Sequence, residues 1–389
     1  VNSKAPLRIA VIAGEESGDL LGADLIDALR KQSRRPVELI GVGGRNLTAL
    51  GLDALFDADE IAIMGLSAVI RDLPRLMRRI GQTAEAIASA RPDCLITIDS
   101  PDFGLRVARK VRAAAPSIPI VHYVCPSVWA WRPGRAAAMR PYVDHILCLL
   151  PFEPAELARL GGPPGSFVGH RLTTDSGLQA AARAQLERTR TSDGPKNLLL
   201  LPGSRRGEVS RLLEPFGETV RKLKAVGQDF DLFVPTTPNV AALIETASAD
   251  WPVKPEIILD AKRKWRAFGK ADAALACSGT VTLELALARV PFASCYRADL
   301  LGAAVGSLLI KVWSASLPNL IAGWPVVPEF FNTYVRPEYL ARLMPKLWSD
   351  TPTRRAQLAG FADVAEALTT PAPSGELAAE IILRQIGQS

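Results

Sequence analysis

The runs "LRIAVIA" (7–13), "VELIGVGG" (37–44), "DCLITID" (93–99), "IPIVHYV" (118–124) and "DHILCLL" (144–150) are apolar almost throughout, and helical patterns separate them. A strand with one wet face alternates apolar and polar residues. Runs like these are buried on both faces, as parallel strands joined by crossover helices must be. A Gly- and Pro-rich break, "GGPPGSFVGHRLTTDSG" (161–177), interrupts the series. It then resumes with "NLLLLPGS" (197–204), "DFDLFVP" (229–235), "PEIILD" (255–260), "ADAALACS" (271–278) and "VPFASCY" (290–296). The expected architecture is two doubly wound α/β domains in tandem, divided near residue 172, with ligand in a cleft outside the carboxyl ends of the strands.

Composition narrows the function classes. The chain is 48% hydrophobic and 22% charged, ordinary for a globular protein, with a net charge of +6. That excess permits an anionic partner without requiring one, and no nucleic-acid reader motif accompanies it. The five cysteines form no CxxC pair and the three histidines no ligand spacing, so reduced thiols are expected, with no metal and no other cofactor. No apolar run reaches the roughly 18 residues of a membrane span. The first apolar run is short and ends in charge, so it reads as a strand and not a signal peptide, which points to the cytoplasm.

The turns after strands carry the candidate chemistry. In "AGEESGD" (13–19), Gly14 and Gly18 allow close backbone approach, and Ser17 or Asp19 can cap the helix that follows, beside Glu15. "GVGGRN" (41–46) reads as a turn. In "TIDSPDFGLRVARKV" (97–111), Asp99 ends a buried strand. Burial there would raise its pKa toward that of a general base, whereas Asp102 reads as a helix cap. In "YVCPSVWAWRPGR" (123–135) the tryptophans read as packing, while Arg132 and Arg135 suit either phosphate or solvent. "LLPGSRRGEV" (200–209) turns at Gly203 and Ser204 and presents Arg205 and Arg206 to an anion. "CSGTVTLE" (277–284) puts Ser278, Gly279 and Thr280 at a helix N-terminus, where backbone N–H groups and the macrodipole favour negative charge. Glu284 follows one turn later. A carboxylate repels phosphate but accepts both hydroxyls of a ribose, so the pair suggests a nucleoside diphosphate; no P-loop is present.

Residues 63–81, "IMGLSAVIRDLPRLMRRIG", are amphipathic and basic. Met64, Leu66, Val69, Ile70, Leu73, Leu76, Met77 and Ile80 are apolar and lie among arginines. This suits a core helix with a solvated rim or an interfacial helix on anionic lipid. Pro74 suggests two short helices.

The strings "AGEESGDLLGADLI", "MGLSAVIRDLPRL", "ITIDSPDF", "HYVCPSVWAWR", "LLPFE", "FVGH", "LLPGSRRGEV", "SGTVTLE" and "SLPNLIAG" closely resemble the lipid-A-disaccharide synthase family, inverting glycosyltransferases of GT-B architecture. The resemblance implies a GT-B fold: two Rossmann-like domains facing a cleft. Residues 1–172 would face acceptor and membrane, 173–345 would bind UDP-sugar, and C-terminal helices 346–389 would return to the first domain. It implies transfer of 2,3-diacylglucosamine from its UDP derivative to the 6-hydroxyl of 2,3-diacylglucosamine 1-phosphate (lipid X), giving a β-1,6 disaccharide and UDP. It places the family's catalytic aspartate at Asp99, its PGSR arginine at Arg205 and its SLPN asparagine at Asn319. Gly203, Ser204, Ser278, Gly279, Thr280 and Glu284 would line the donor site, and Gly14, Glu15, Ser17 and Gly18 an acceptor-side loop. It also implies a peripheral protein on the cytoplasmic face of the inner membrane of Gram-negative bacteria. The diacylated substrates favour a membrane role for 63–81. The resemblance further allows a homodimer through C-terminal segments. The chain departs from the family pattern at Ala68, Cys125, Trp324 and Asn332. Two alternatives on the same architecture are a UDP-sugar 2-epimerase and a non-catalytic UDP-sugar sensor at the membrane.

Overall fold

The computed structural model describes residues 5–60, 66–188, 194–298 and 312–387. They divide into two units, Val1–Arg171 with Thr370–Ser389, and Leu172–Thr369. The first unit begins β1 (Leu7–Ala13), α1 (Glu16–Gln32), β2 (Val37–Val42), α2 (Arg45–Ala49), β3 (Leu52–Ala54), α3 (Leu66–Ala90) and β4 (Cys94–Ile98). It continues α4 (Pro101–Ala114), β5 (Ile120–Tyr123), α5 (Gly134–Met139), β6 (His145–Cys148), α6 (Glu153–Arg159) and β7 (Gly165–Phe167). Its strands pair in parallel in the order β3-β2-β1-β4-β5-β6-β7. The apolar character of β1 now has a cause. Ile9, Val11 and Ala13 pack on one face with Leu25 and Leu29 of α1, while Ala10 and Ile12 pack on the other with Ile80, Ile87 and Phe103.

The second unit runs α7 (Ser176–Glu187), β8 (Lys196–Leu201), α8 (Arg206–Ala225), β9 (Phe230–Pro235), α9 (Pro238–Ala247), β10 (Glu256–Ile258) and α10 (Ala261–Lys270). Next come β11 (Ala273–Cys277), α11 (Thr280–Leu287), β12 (Phe292–Tyr296), α12 (Leu317–Ala322), β13 (Glu329–Phe331), α13 (Pro337–Trp348) and α14 (Pro352–Ala367). Its parallel sheet has the order β10-β9-β8-β11-β12-β13. Leu198 and Leu200 pack against α8, whereas Leu199 and Leu201 join Phe268 and Phe361 on the other face.

Two expectations need correction. Residues 346–369 stay with the second unit instead of joining the first. Leu347 and Trp348 complete its core, Phe361 stacks on Phe292 at 5.8 Å, and buried Arg354 donates to the Asp272 carbonyl. The return to the first unit begins at Thr370 and consists of α15 (Ser374–Gln385), whose Ala378, Ala379, Ile382 and Leu383 enter the α1 side of the core. A Cβ at Gly375 would lie 2.8 Å from the Asp24 carbonyl oxygen, so only glycine lets the two backbones approach this closely. The second correction concerns α3, which is one helix through Pro74. Ile80, Ala84 and Ile87 anchor its C-terminal half on α4, and Glu60 accepts from Arg75 and Arg79. These contacts outweigh the backbone bond that proline forgoes.

The buried contacts of α15 give a first test. Ile382→Ala should destabilise the protein by about 2–5 kcal/mol, the usual cost of an emptied aliphatic site. Chemical denaturation of the full chain measures this.

Candidate active site

In an open parallel sheet the ligand-binding crevice lies where the strand order reverses direction. In the first unit that point is between β1 and β4, where Ala13 stands opposite Ile98. Gly14, Glu15, the first turn of α1 and Asp99 therefore emerge side by side. Gly18 is buried, and a Cβ there would sit 3.4 Å from the Ile98 carbonyl oxygen; Glu15 and Ser17 are exposed. Asp99 and Ser100 both hold left-handed backbone angles, φ 50° and 40°. Two consecutive non-glycine residues in that region are strained. The Asp99 N–H donates to the Tyr123 carbonyl at 2.9 Å, and the Ser100 carbonyl accepts from Phe103 and Gly104 at the start of α4. Burial raises the Asp99 carboxyl above the ordinary carboxylate range.

Three other acids prove structural. Neither Ser17 nor Asp19, the two caps the sequence suggested for α1, caps it, because both lie inside that helix and Glu15 is its N-cap. The buried Asp19 carboxylate caps α2, accepting from the backbone of Gly44, Asn46 and Leu47 and from the Asn46 side chain at 2.8–3.2 Å. The "GVGGRN" turn is thereby tied to the turn after β1. Asp102, expected as a helix cap, instead lies inside α4, whose N-cap is Ser100, and pairs with Arg135 at 2.8 Å; Arg132 lies 4.3 Å over the Trp131 ring. Glu153, which the sequence reading passed over, is the hub of the neighbouring loops. Its carboxylate accepts from Trp129 Nε1 at 3.1 Å and from the Leu149 and Leu150 N–H groups at 3.0 Å. Its oxygen and the Cys125 and Cys148 sulfurs lie within 4.8 Å of one another. Burial lifts the Glu153 carboxyl to about 7, and the contact with Cys125 together with burial pushes the Cys148 thiol far up. With three N–H donors on its carboxyl, Glu153 clamps these loops together.

The second unit reverses between β8 and β11, where Leu201 stands opposite Ala276. A pocket of about 480 Å³ opens there. Gly203, Ser204, Arg205, Ser278, Gly279, Thr280 and Glu284 all line it, so the structure gathers sequence-distant candidates at one place. Gly279 precedes α11 with φ 151°, in the region that favours glycine. Ser278 Oγ donates to the Ala315 carbonyl at 2.7 Å, which steadies the turn. Arg205 is exposed and pairs with Glu208 at 3.0 Å. Glu284 Oε2 is buried 2.7 Å from Lys264 Nζ, whereas the buried Thr236 hydroxyl has no hydrogen-bond partner. Sequence reasoning missed the wall formed by Thr236, Thr237, Asp260 and Lys264, at the ends of β9 and β10 and the start of α10. The strand-end rule, applied to "FVPTTPN" and "IILDAKRK" as it was to the neighbouring turns, would have found them.

Asn319 is not among the residues lining the pocket, contrary to its expected donor contact. It is buried, and its amide exchanges hydrogen bonds with the Val327 backbone at 2.7 and 3.0 Å and reaches Glu329. Glu329 in turn accepts from Ser314 and the Ala315 N–H, so Asn319 supports the segment that holds Ser278. Of the amphipathic patch, Met64 and the side chains of Leu66, Val69, Ile70 and Leu73 lie outside the described residues. Leu76 packs partly against the core, which corrects its assignment to the surface patch, and Met77 is exposed. Among the described residues no helix is long and apolar enough to cross a membrane.

Two doubly wound units, one with a strained carboxyl and one with a nucleotide-sized pocket at the reversal of its sheet, define the GT-B class. The glycosyltransferase of kitacinnamycin shares the fold at TM-score 0.62 and 15% identity, covering 98% of this chain and 99% of that one. A UDP-GlcNAc 2-epimerase from Neisseria meningitidis, solved bound to UDP-GlcNAc, shares it at 0.58 and 12%, covering 98% and 100%. The fold thus spans more than one chemistry. The sequence family model described as lipid-A-disaccharide synthetase matches residues 9–373. Lipid-A-disaccharide synthase of Rhodopseudomonas palustris is 48% identical over 378 residues, covering 97% of this chain and 95% of that protein. The Nitrobacter hamburgensis enzyme of the same name is 47% identical over 383 residues, covering 98% and 96%. The chain belongs to the lipid-A-disaccharide synthetase family.

The Glu153 clamp predicts a pH dependence of stability. Its folded pKa of about 7 lies above the unfolded carboxylate value, so the folded state holds the extra proton between the two. Stability from this group is full below about 4.5 and declines as pH rises through about 7. Glu153→Gln should flatten that decline in denaturation curves taken from pH 5 to 8 (about the range where the group titrates). An unchanged slope would place the titration elsewhere.

Proposed function

We propose that this chain is a lipid-A-disaccharide synthase, an inverting hexosyltransferase acting on two diacylated glucosamine substrates. It transfers 2,3-diacylglucosamine from the UDP-linked donor to the 6-hydroxyl of 2,3-diacylglucosamine 1-phosphate. What carries the reading is the family match across the chain. The two sheet-reversal sites supply matching chemistry.

In this mechanism the acceptor oxygen attacks the anomeric carbon from the face opposite UDP. The new glycosidic bond forms as the bond to the diphosphate oxygen breaks, and the configuration inverts. Asp99 takes the 6-hydroxyl proton; its raised pKa makes it a stronger base than an exposed aspartate. UDP departs with growing negative charge, which Arg205, the Ser278–Thr280 backbone and the α11 dipole stabilise without moving. Glu284 accepts from the ribose hydroxyls. The Gly14–Gly18 segment, beside Asp99, borders the acceptor sugar. Exposed Met77 and Arg78 on α3 support a peripheral role for that helix on the cytoplasmic face of the inner membrane.

The test is UDP release in detergent with both diacylated substrates. Asp99→Asn should lower kcat by about 10²–10⁴ while leaving UDP binding intact. In the wild type, kcat/KM should rise with pH along a limb displaced above the ordinary carboxylate range, because only ionised Asp99 accepts the proton. UDP release that needs no acceptor would indicate hydrolysis or epimerase chemistry, and UDP binding without release would indicate a sensor.

A further inference from the structure

Three acids and two bases line the nucleotide-sized pocket among the described residues: Glu208, Asp260 and Glu284 against Arg205 and Lys264. A pocket meant for a diphosphate cannot leave such carboxylates uncompensated. Glu208 is compensated by Arg205 and by the start of α8. Asp260 caps α10, accepting from the Arg263 N–H at 2.8 Å. That leaves Glu284, and Lys264 Nζ lies 2.7 Å from its Oε2.

The pair is largely buried, with side-chain exposures of 28% for Lys264 and 15% for Glu284. Lys264 is held from behind, its ammonium 4.4 Å from the Trp265 ring centre and 5.6 Å from that of Phe268. The two rings meet edge to face, so their position is itself braced. The 2.7 Å contact engages one carboxylate oxygen, and a carboxylate has further lone pairs with which to accept. The carboxylate is therefore neutralised in charge yet still open as an acceptor. That combination suits neutral hydroxyls arriving on an anionic molecule.

We propose that Lys264 is the positioning and specificity-determining residue of this pocket: it cancels the Glu284 charge, so that a nucleoside diphosphate can enter, and aims the carboxylate at the vicinal hydroxyls of its ribose. The inference rests on the nucleotide reading above. Without Lys264 a bare carboxylate would face the diphosphate in a partly desolvated wall, where unpaired charge is costly. The loss must then depend on the ligand's charge and on the presence of Glu284. A lysine that merely props up α10 has neither signature.

Equilibrium binding of UDP and of uridine to the full chain tests this, with Lys264→Met, Lys264→Arg, Glu284→Gln and the double variant. Lys264→Met should weaken UDP by about tenfold or more and uridine by about threefold or less. Lys264→Arg should stay near wild type. The double variant should bind UDP more tightly than Lys264→Met alone, because removing the Glu284 charge removes the repulsion. Equal losses for UDP and uridine would overturn the proposal in favour of a structural role. An undiminished UDP loss in the Glu284→Gln background would overturn it in favour of direct phosphate contact. If wild type binds neither ligand, the nucleotide reading fails and this role fails with it. Thermal midpoints of each variant separate binding losses from unfolding.

Discussion

Everything functional in this chain hangs on one constraint of parallel sheets: the winding direction reverses once in each sheet. At that reversal two crossover helices leave on opposite faces, and the strand ends between them stay uncovered. Ala13 opposite Ile98 in one unit, and Leu201 opposite Ala276 in the other, mark the two places. The turns that follow hold unusual backbone and polar groups at the strand ends. Asp99, Ser100, Gly203 and Gly279 in these turns have φ of 50°, 40°, 113° and 151°.

The rest of the acidic complement shows how such turns are kept in place. Asp19 and Glu153 are buried carboxylates that gather backbone N–H groups from loops lacking sheet partners. Asp19 does so at the N-terminus of α2. Glu153 lies deep enough that burial raises its pKa despite three donors. Asp99 differs from both: its carboxyl accepts from the adjacent Ser100 N–H, and its own N–H donates to the Tyr123 carbonyl. A carboxyl that is raised in pKa and not consumed by structure has the chemistry a base requires.

In the second unit the same economy governs charge. Each acidic side chain lining the pocket meets a helix start or a cation, Glu284 through its contact with Lys264. Asn319 contributes at a distance, through Glu329 and Ala315 to Ser278. Mutational loss at Asn319 would accordingly report on the shape of the turn and not on a lost ligand contact.

Short-range physics was legible in the sequence. Apolar strands, glycine at turns, hydroxyls before a helix and an acid at a strand end each need only a few neighbouring residues, so they marked the α/β class, the two halves, Asp99 and the 203–205 and 278–284 turns. Tertiary structure decided what depends on residues far apart in the chain. The Lys264–Glu284 pair, the Trp129–Glu153 clamp and the inward amide of Asn319 join segments through packing that no local pattern encodes. The placement of 346–369 followed the same rule. Its helices are amphipathic wherever they dock, and only the fit of Trp348 and Phe361 into the second core determined which unit they complete.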